Sequence, residues 1–439
     1  MHTPTRDAPT GTNGSPKLPS RDMPDQSLQP DVAGGVFDPL SEGFARDPYS
    51  LYAGLRNSDQ PYYFEGIDGW LLSRYADVEQ AALDPRLVRS LEAFMNPQEV
   101  ADERREANWH DMPNHSRFIQ VSLLDSDGDT HFRLRKLILG KFSGRYVERY
   151  RSMIQRYVDG LLEELLEKKE IDFVEDLASH VPGHIIGNVL GVPDEDCPQL
   201  RIWSENVVQF FDVGRTDEHK QLAEKSTTEF YHYLLELIAL RSKRPQEDLI
   251  STLIEAKSAG LIDETELISI CMLILMAGHG STIDVLGSGM NALLRHPGEL
   301  ERLRQDPGLI QTAVQEMFRY ESPLPFFHRY ATEEIEVLGK RYPKGTMFGL
   351  LYGSANRDCS RFPSADRFDV GRQPNRHLAF GRGPHLCLGN HLARLDMEVI
   401  FLTLLKRVSC IELLVDETRF KRSLSIRGPV SVPLKLTPA

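Results

Sequence analysis

Residues 380–389 read Phe-Gly-Arg-Gly-Pro-His-Leu-Cys-Leu-Gly, a glycine-rich turn that carries one cysteine, Cys387. The next residues, 390–394, have good helix-forming composition, so the sequence places Cys387 at the N-terminus of a helix. Backbone N–H groups and the helix dipole favour a thiolate there, and the glycines leave room for a flat group against the backbone. A haem iron takes a thiolate as a strong electron-donating axial ligand, so this turn is a candidate haem site.

Each feature alone has an ordinary explanation, because a lone cysteine is usually a small buried apolar residue and a glycine-rich turn is usually only a turn. The combination is more specific, with Phe380 seven positions before the cysteine and His385 two before it. The segment resembles the haem-binding signature of the cytochrome P-450 family at every fixed position. The resemblance implies that Cys387 is the metal ligand of haem b (iron protoporphyrin IX), with Phe380, Gly381, His385 and Gly389 as further cofactor-binding residues.

The resemblance covers roughly residues 38–436, in order and at the family's spacing. It implies a mainly α fold with small β-sheets, a single helical triangular prism with one long central helix over the haem. We therefore expect a cytochrome P-450 haem-thiolate domain over 38–439. The preceding residues, 1–37, are rich in Pro, Gly, Ser, Thr and Asp, and we predict a disordered tail there.

Composition excludes several other classes. The 439-residue chain has a net charge of -13, which argues against a nucleic-acid partner. Its five cysteines are odd in number and widely scattered, which favours a reduced, cytoplasmic setting. The longest apolar run, 270–277, is too short to span a bilayer, and no N-terminal anchor is legible. By resemblance we expect a bacterial protein of the family's type without a membrane anchor, acting as a monomer.

Several elements outside the turn can be read from their patterns. A strand is predicted over 69–75 and an irregular stretch over 84–125, and the helices are predicted at 77–83, 131–142, 146–168, 173–190 and 263–295. The last helix opens with a cap formed by Asp263 and Glu266 and is about 50 Å long. Its middle, 277–282, reads Ala-Gly-His-Gly-Ser-Thr. Glycine weakens a helix interior, so either another helix or a flat cofactor packs there; the resemblance implies that Ala277 and Gly278 contact the haem.

This helix also carries the main departure from the family. Most members resemble Ala-Gly-x-Asp/Glu-Thr-Thr here, with an acid to collect protons and a threonine to order water, whereas this chain has Gly280 and Ser281, followed by Thr282. These three positions are the candidate catalytic residues. Protons could come from Ser281, Thr282 or His279 with ordered water, or from a substrate hydroxyl. Alternatively the chemistry needs no ordinary relay, or Gly280 makes room for substrate; we favour the first explanation together with the last.

Positive groups are expected where a haem would place its two propionates. His131 and Arg135 lie at i and i+4, a pattern that taken alone is more typical of a basic surface helix. The resemblance implies propionate contacts from these two residues and from Arg329 and His385. It also implies that Glu316, Arg319 and Arg372 form a structural ion-pair group rather than a catalytic one.

The predicted function is a haem-thiolate monooxygenase that inserts one oxygen atom of O2 into an apolar organic substrate. Electrons would come from an iron–sulfur ferredoxin and its NAD(P)H reductase, docked on a basic face that comprises Arg133, Lys136, Lys141, Arg382 and Arg394. The alternatives are oxidative coupling, a peroxide-driven oxidation, or a haem-bearing module that recruits a partner without turnover. The predicted substrate pocket contains Phe94, Phe118, Phe210, Phe211, Met276, Phe326, Phe327 and Ile426.

Overall fold

The structure is a computed structural model that describes residues 36–120 and 122–439. The helices are α1 (Glu42–Arg46), α2 (Pro48–Arg56), α3 (Tyr75–Leu83), α4 (Pro97–Glu106), α5 (Pro113–Phe118), α6 (Gly128–Leu139), α7 (Gly144–Val147), α8 (Arg151–Lys168), α9 (Val181–Leu190), α10 (Cys197–Val208), α11 (Asp217–Lys243), α12 (Leu249–Ser258), α13 (Glu264–Arg295), α14 (Pro297–Gln305), α15 (Ile310–Tyr320), α16 (Tyr352–Ala355) and α17 (Asn390–Arg407). The strands are β1 (Tyr62–Phe64), β2 (Gly69–Leu72), β3 (Leu87–Val88), β4 (Glu170–Asp172), β5 (Phe326–Ala331), β6 (Ile335–Val337), β7 (Lys340–Tyr342), β8 (Met347–Leu351), β9 (Val408–Leu413) and β10 (Pro433–Pro438).

The long helix α13 organises the core. The predicted cap is confirmed, since the Asp263 side chain accepts from the Glu266 N–H at 2.8 Å and the Glu266 carboxylate accepts from the Asp263 N–H at 3.0 Å. The helix has 32 residues, about 48 Å in length, and it contacts α9, α10, α12, α15 and α17. By length and composition it could cross a membrane, but 78% of its apolar window is buried inside the protein. It is therefore the core helix of this fold.

Small sheets flank the helices. The largest has the strand order β1-β2-β8-β5-β3, in which β2 and β8 run parallel and the other pairs antiparallel. A second sheet has the order β4-β10-β9, and β6 and β7 form a hairpin. The predicted strand at 69–75 is confirmed in part, as the shorter β2. The mainly α architecture with small sheets is confirmed.

The predicted tail, 1–37, falls outside the described residues except for its last two positions. Phe37 is buried, and its ring centroid lies 5.4 Å from that of Phe44 and 5.1 Å from that of Phe64. Packing of this kind requires a fixed position. The folded part of the chain therefore includes Phe37, one residue earlier than the predicted boundary.

Two predicted stretches differ from the structure. The irregular stretch 84–125 contains α4 and α5, and α4 opens with a capping box between Asn96 and Glu99. The single helix expected over 173–190 is instead a π-helical segment, Phe173–Ala178, followed by α9. Helix α9 ends at Gly191, whose φ of 93° is left-handed, as the sequence indicated.

Candidate active site

One cavity lies between α13 and the turn at 380–389. Cys387 forms part of one wall, and Ala277, Gly278, Ser281 and Thr282 of α13 form part of the opposite wall. Strand β5 and the chain before α6 close the sides with Phe327, Arg329, Leu123 and Leu124. The structure thus brings together the cysteine turn and the middle of the long helix, which are about 105 residues apart in sequence.

The turn has the conformation that its glycines permit. Gly381 and Gly383 have φ values of 69° and 67°, and a Cβ at Gly383 would lie 2.9 Å from the Ala82 carbonyl oxygen. The Cys387 N–H donates to the Phe380 carbonyl at 2.8 Å, and α17 begins three residues after the cysteine. The predicted position of Cys387 before a helix N-terminus is confirmed.

Opposing effects act on the pKa of the Cys387 thiol. Burial raises the pKa of the Cys387 thiol, whereas a hydrogen bond from the Gly389 N–H and the charges of Arg135 and Arg394 lower it. Arg394 also stacks over the Phe380 ring, with its guanidinium carbon 4.3 Å from the centroid. A bound metal cation would supply the remaining stabilisation that a thiolate needs.

A buried ion group fixes the segment that leads into the turn. Arg319 donates to Glu316 through two nitrogens at 2.7 Å each, and Arg372 donates to Glu316 at 3.0 Å. Arg319 also donates to the carbonyl oxygens of Asn356 at 2.8 Å and Ala365 at 2.7 Å. These groups lie away from the cavity lining, so the arrangement supports the predicted structural role.

Cationic groups gather on one side of the cavity. All four residues predicted to contact propionates, His131, Arg135, Arg329 and His385, line it. The His131 and His385 ring centroids are 4.3 Å apart. Burial lowers the pKa of His131 to about 4, with further lowering by His385 and Arg135. This histidine is therefore neutral, and it can donate a hydrogen bond from one ring nitrogen.

Sequence reasoning missed Arg89 and Tyr352, which also line the cavity. Arg89 pairs with Asp125 at 2.5 Å, and its guanidinium carbon lies 5.3 Å from the Phe327 centroid. Arg89 lies in an irregular stretch, where no periodicity marks which face a side chain takes. No local signal in the sequence identifies it.

Asp127 anchors the chain beside this cationic group. Its carboxylate accepts from His385 Nε2 at 3.0 Å and from the N–H groups of Arg89 and Ser90 at 2.8 Å each. Burial alone would raise the pKa of Asp127, but these hydrogen bonds lower it. Asp127 thus supplies a carboxylate that orients His385.

The donor set fits a haem. Arg329 is 3% exposed and donates to the His328 carbonyl at 2.8 Å, with no carboxylate within salt-bridge distance among residues 36–120 and 122–439. A buried guanidinium without an anion is costly, so a carboxylate-bearing ligand is expected beside it. Cations on one side and a single thiol in the facing turn match the propionates and the iron of one haem.

Gly278 and Gly280 differ in their surroundings, and of the two only Gly278 lines the cavity. A Cβ at Gly278 would lie 2.7 Å from Ile186 Cδ1, so close packing of α9 requires this glycine. A Cβ at Gly280 would meet no atom within 4 Å. The Ser281 hydroxyl donates to the Ala277 carbonyl at 3.3 Å and lines the cavity together with Thr282. Both explanations offered for a glycine in this helix therefore hold at Gly278: helix α9 packs against it, and it lines the cavity.

His279 lies on another side of the helix. Its ring abuts Gly183 of α9, both ring nitrogens lack a hydrogen-bond partner among the described residues, and it faces an outer groove beside His184. Burial, chiefly, lowers the pKa of His279 to about 3. His279 is not among the residues that line the cavity, and the suggestion that it supplies protons with ordered water stays a prediction.

Asp396 of α17 is a further cavity residue that sequence reasoning missed. It is buried, its Oδ1 has no partner among the described residues, and burial raises its pKa well above the usual value. Burial therefore favours its protonated form.

Of the eight predicted substrate-pocket residues, only Phe327 lines the cavity, within the part of the chain that the structure describes. Phe326 points the other way into the cluster around Tyr52, because neighbouring strand residues face opposite sides. Met276 lies one residue before Ala277 and points toward Trp203 instead of the cavity, because successive residues of a helix point about 100° apart.

The other five pack elsewhere. Phe118 packs on Tyr231 and Phe94 on Tyr330, with ring centroids 4.9 Å and 5.9 Å apart. Phe210 and Phe211 both pack on Trp109, and Ile426 lines an outer groove. Apolar character alone does not separate core from cavity. The cavity's apolar wall instead contains Leu123, Leu124, Ile186, Leu273, Ile274, Pro323 and Leu324.

The Cytochrome P450 family model matches residues 92–426, which include the cysteine turn and the facing helix. This chain is a cytochrome P450. It is 33% identical over 412 residues to the polyketide biosynthesis cytochrome P450 PksS of Bacillus subtilis, covering 92% of this chain and 99% of that protein. It is also 33% identical to the 6-deoxyerythronolide B hydroxylase of Saccharopolyspora erythraea, over 91% of this chain and 99% of the relative.

Solved structures agree with this assignment. P450BioI, in complex with an acyl carrier protein carrying hexadec-9Z-enoic acid, has a TM-score of 0.83 at 32% identity and covers 90% of this chain and 99% of its own. Epothilone B-bound cytochrome P450epoK has a TM-score of 0.85 at 30% identity, and the match covers 92% of this chain and 100% of that structure's chain. The chain therefore has the P450 fold and is a haem-thiolate monooxygenase.

Proposed function

We propose that this P450 hydroxylates a C–H bond of an apolar, aliphatic substrate, with Cys387 as the iron ligand. The observation that carries the proposal is the cavity wall opposite Cys387, which is apolar except for the hydroxyls of Ser281 and Thr282. Such a wall holds a substrate mainly by burial of apolar surface. The haem, when bound, supplies the activation of dioxygen.

The chemistry of the ligands named for similar proteins supports an acyl-chain or polyketide substrate. P450BioI was solved with an acyl-carrier-protein-bound hexadecenoic acid, and CYP267B1, at 35% identity and a TM-score of 0.83, with myristic acid. PksS is named for polyketide biosynthesis. Long aliphatic compounds of this kind bury much apolar surface and need few polar contacts.

Each cavity residue takes a role under this proposal. Arg329, Arg135, His131 and His385 hold the propionates, Ala277 and Gly278 leave room for the macrocycle, and Phe380, Gly381 and Gly389 shape the turn around Cys387. Ser281 and Thr282 order water beside the reacting oxygen, because each hydroxyl can donate and accept. The open space at Gly280 accommodates water or part of the substrate.

Electrons would come from a ferredoxin and its NAD(P)H reductase, which dock over α6 and the cysteine turn. The predicted basic face is weaker than its residue count suggests, since Arg133 pairs with Glu266 and Arg382 pairs with Glu79. Exposed apolar residues flank Lys136 instead, with Phe132 at 68% and Leu139 at 50% exposure. We therefore propose a docking surface that combines apolar contact with the charge of Lys136, on a monomer in the cytoplasm.

An optical titration of the ferric holoenzyme with fatty acids, their carrier-protein thioesters, macrolides and aromatic compounds tests the substrate class. Conversion from low to high spin by aliphatic compounds, followed by a hydroxylated product, is the expected result. A response to aromatic compounds only would contradict the aliphatic assignment.

Oxidative coupling is the second candidate, and a solved structure of similar fold favours it. One similar structure, with a TM-score of 0.81 at 32% identity, is that of a cytochrome P450 enzyme for C–S bond formation. Mass spectrometry distinguishes the two, since hydroxylation adds an oxygen atom from labelled O2 and coupling adds none. Absence of any product with every responsive compound would favour a binding module.

A further inference from the structure

The proposed hydroxylation requires protons at the cavity. The assignment of residues that deliver them depends on that proposed function. Insertion of one oxygen atom into a C–H bond consumes one O2, two electrons and two protons and releases one water. The protons must reach a cavity enclosed by protein. In this chain the position of the usual acid is Gly280, so another group has to carry them.

Asp284 stands one helical turn after Gly280. Residues four apart lie on the same face of a helix, and side chains tilt toward the helix N-terminus, so Asp284 points toward Gly280. Asp284 is 2% exposed. A Cβ at Gly428 would lie 2.0 Å from Asp284 Oδ1, so the glycine there lets the 428 backbone fit against the carboxylate.

Lys421 connects this buried carboxylate to solvent. Its Nζ lies 2.7 Å from Asp284 Oδ1, and its side chain is 43% exposed. Lys421 also lines an outer groove with Asp212, His219 and Ser423. The ion pair thus has one end in water and the other inside α13.

The space at Gly280 completes the path. A Cβ there would meet no atom within 4 Å, and Ser281, the next residue, lines the cavity. A buried water needs two to four polar partners. Asp284 lies one turn after this space, and Ser281, whose hydroxyl donates to the Ala277 carbonyl, is the next residue along the helix. The acid missing at Gly280 is present one turn away, with room between for water.

We propose that Asp284 is the proton-relay acid of this P450 and that Lys421 reloads it from the outer groove. In each step the Asp284 O–H bond breaks as its proton passes to water at Gly280, which passes a proton on to Ser281 and the cavity. A Lys421 N–H bond then breaks to reprotonate Asp284, and groove water reprotonates Lys421. Two such cycles supply the two protons.

The surrounding charges are compatible with this role. Burial raises the pKa of Asp284, which lets it hold a proton, while Lys421 lowers it and Glu205 of α10 raises it. Asp396 is the rival acid, since it lines the cavity directly. Burial alone perturbs the pKa of Asp396, however, and no charged neighbour links it to the surface among the described residues.

The test compares the holoenzyme variants Asp284→Asn and Asp396→Asn with Asp248→Asn. Asp248 is a matched control, since it forms another buried ion pair, 2.5 Å from Arg241, away from the cavity. For Asp284→Asn we expect an unchanged substrate-induced spin shift, a severalfold larger share of electrons released as peroxide, and a changed proton inventory. Adding Gly280→Asp should restore coupling.

A spectroscopic readout tests the route independently of turnover. The carboxyl stretch that Asp284→Asn removes from the infrared spectrum should shift promptly in D2O, and more slowly in Lys421→Met. Failure of the band to exchange would overturn the route. So would peroxide release in Asp284→Asn no greater than in Asp248→Asn, or an increase confined to Asp396→Asn. If the wild-type enzyme hydroxylates nothing, the proposed function fails instead.

Discussion

The two walls of the cavity are built in different ways. The cysteine wall is one ten-residue turn, fixed by two glycines with positive φ and held by the Glu316 ion group behind it. The helix wall is assembled from α13, α9, β5 and the chain before α6. A wall made of one continuous segment can be recognised from its residues, whereas a wall made of several segments depends on how they pack.

The largest effect is expected from the cysteine itself. Cys387→Ser should abolish monooxygenation, because a serine hydroxyl is not ionised and cannot donate charge as a thiolate does. The absorption spectrum of the reduced carbon monoxide complex measures the loss. Cys410→Ser, at an exposed free cysteine on β9, is the control and should keep both spectrum and activity.

Removal of the charge behind the cysteine wall should be costly for stability. Glu316→Gln leaves Arg319 and Arg372 buried without a counter-charge, and we expect a loss of about 3–5 kcal/mol in the free energy of unfolding. Denaturant unfolding, together with haem retention, measures it. The exposed pair of Glu334 and Arg341 provides the contrast, since Glu334→Gln should cost less than about 0.5 kcal/mol; equal losses would contradict the assigned role.

His279, which is buried, and His377, which is half-buried, should respond alike to acid and differently at neutral pH. The pKa of His377, near the cysteine turn, and that of His279, on α13, are each lowered to about 3, chiefly by burial. The unfolded chain binds a proton near pH 6.5 and the folded one does not, so each histidine costs stability as pH falls below that value. From pH 7 to 5.5 the loss is about 1.3 kcal/mol per histidine.

Substitution separates the two sites. His377→Leu and His279→Leu should each remove that acid-induced loss. At pH 7, His377→Leu should destabilise by about 1–3 kcal/mol, because Gln315 loses its partner at 3.0 Å. His279→Leu should be neutral or stabilising, since no partner is lost. Unfolding curves at both pH values measure these differences. A large loss of unfolding free energy for His279→Leu at pH 7 would show that His279 has a hydrogen-bond partner and would contradict the prediction.

Alanine substitution at Gly278 and at Gly280 of α13 should have different effects on stability. Gly280→Ala should stabilise the protein by about 0.5–1 kcal/mol through helix propensity, because its Cβ meets nothing. Gly278→Ala gains the same propensity but displaces Ile186, so we expect it to be at least about 1 kcal/mol less stable than Gly280→Ala. Thermal unfolding measures both, and equal stabilities would contradict the close packing of α9.

The smallest effect is expected on the outer surface behind the cysteine wall. Lys136→Glu should slow reduction by ferredoxin about two- to fivefold, with a weaker dependence on salt. Arg133→Glu should also lose the pair with Glu266, so the cleaner comparison is Phe132→Ser, which removes apolar contact and should slow reduction at every salt concentration. Stopped-flow reduction is the measurement; unchanged rates in both Lys136→Glu and Phe132→Ser would exclude this surface.

The sequence by itself determined the features that depend on short stretches of chain. The cysteine turn, the cap at Asp263 and the glycine end of α9 each follow from local backbone chemistry. The four residues predicted to contact propionates could be expected at one cavity because the family resemblance implied them. The ion group around Glu316 was also predicted from the resemblance, because the spacing of Glu316 and Arg319 alone is common on exposed helix faces.

Only the tertiary structure decided which side chains face the cavity. Phe326 and Phe327 are the same residue type one position apart, and strand pairing sends just one of them inward. Arg89, Asp396 and Lys421 carry no local pattern, because their positions depend on segments far apart in the chain. Apolar character states that a residue will be buried, but the packing of neighbouring elements determines whether it is buried in the core or against a ligand.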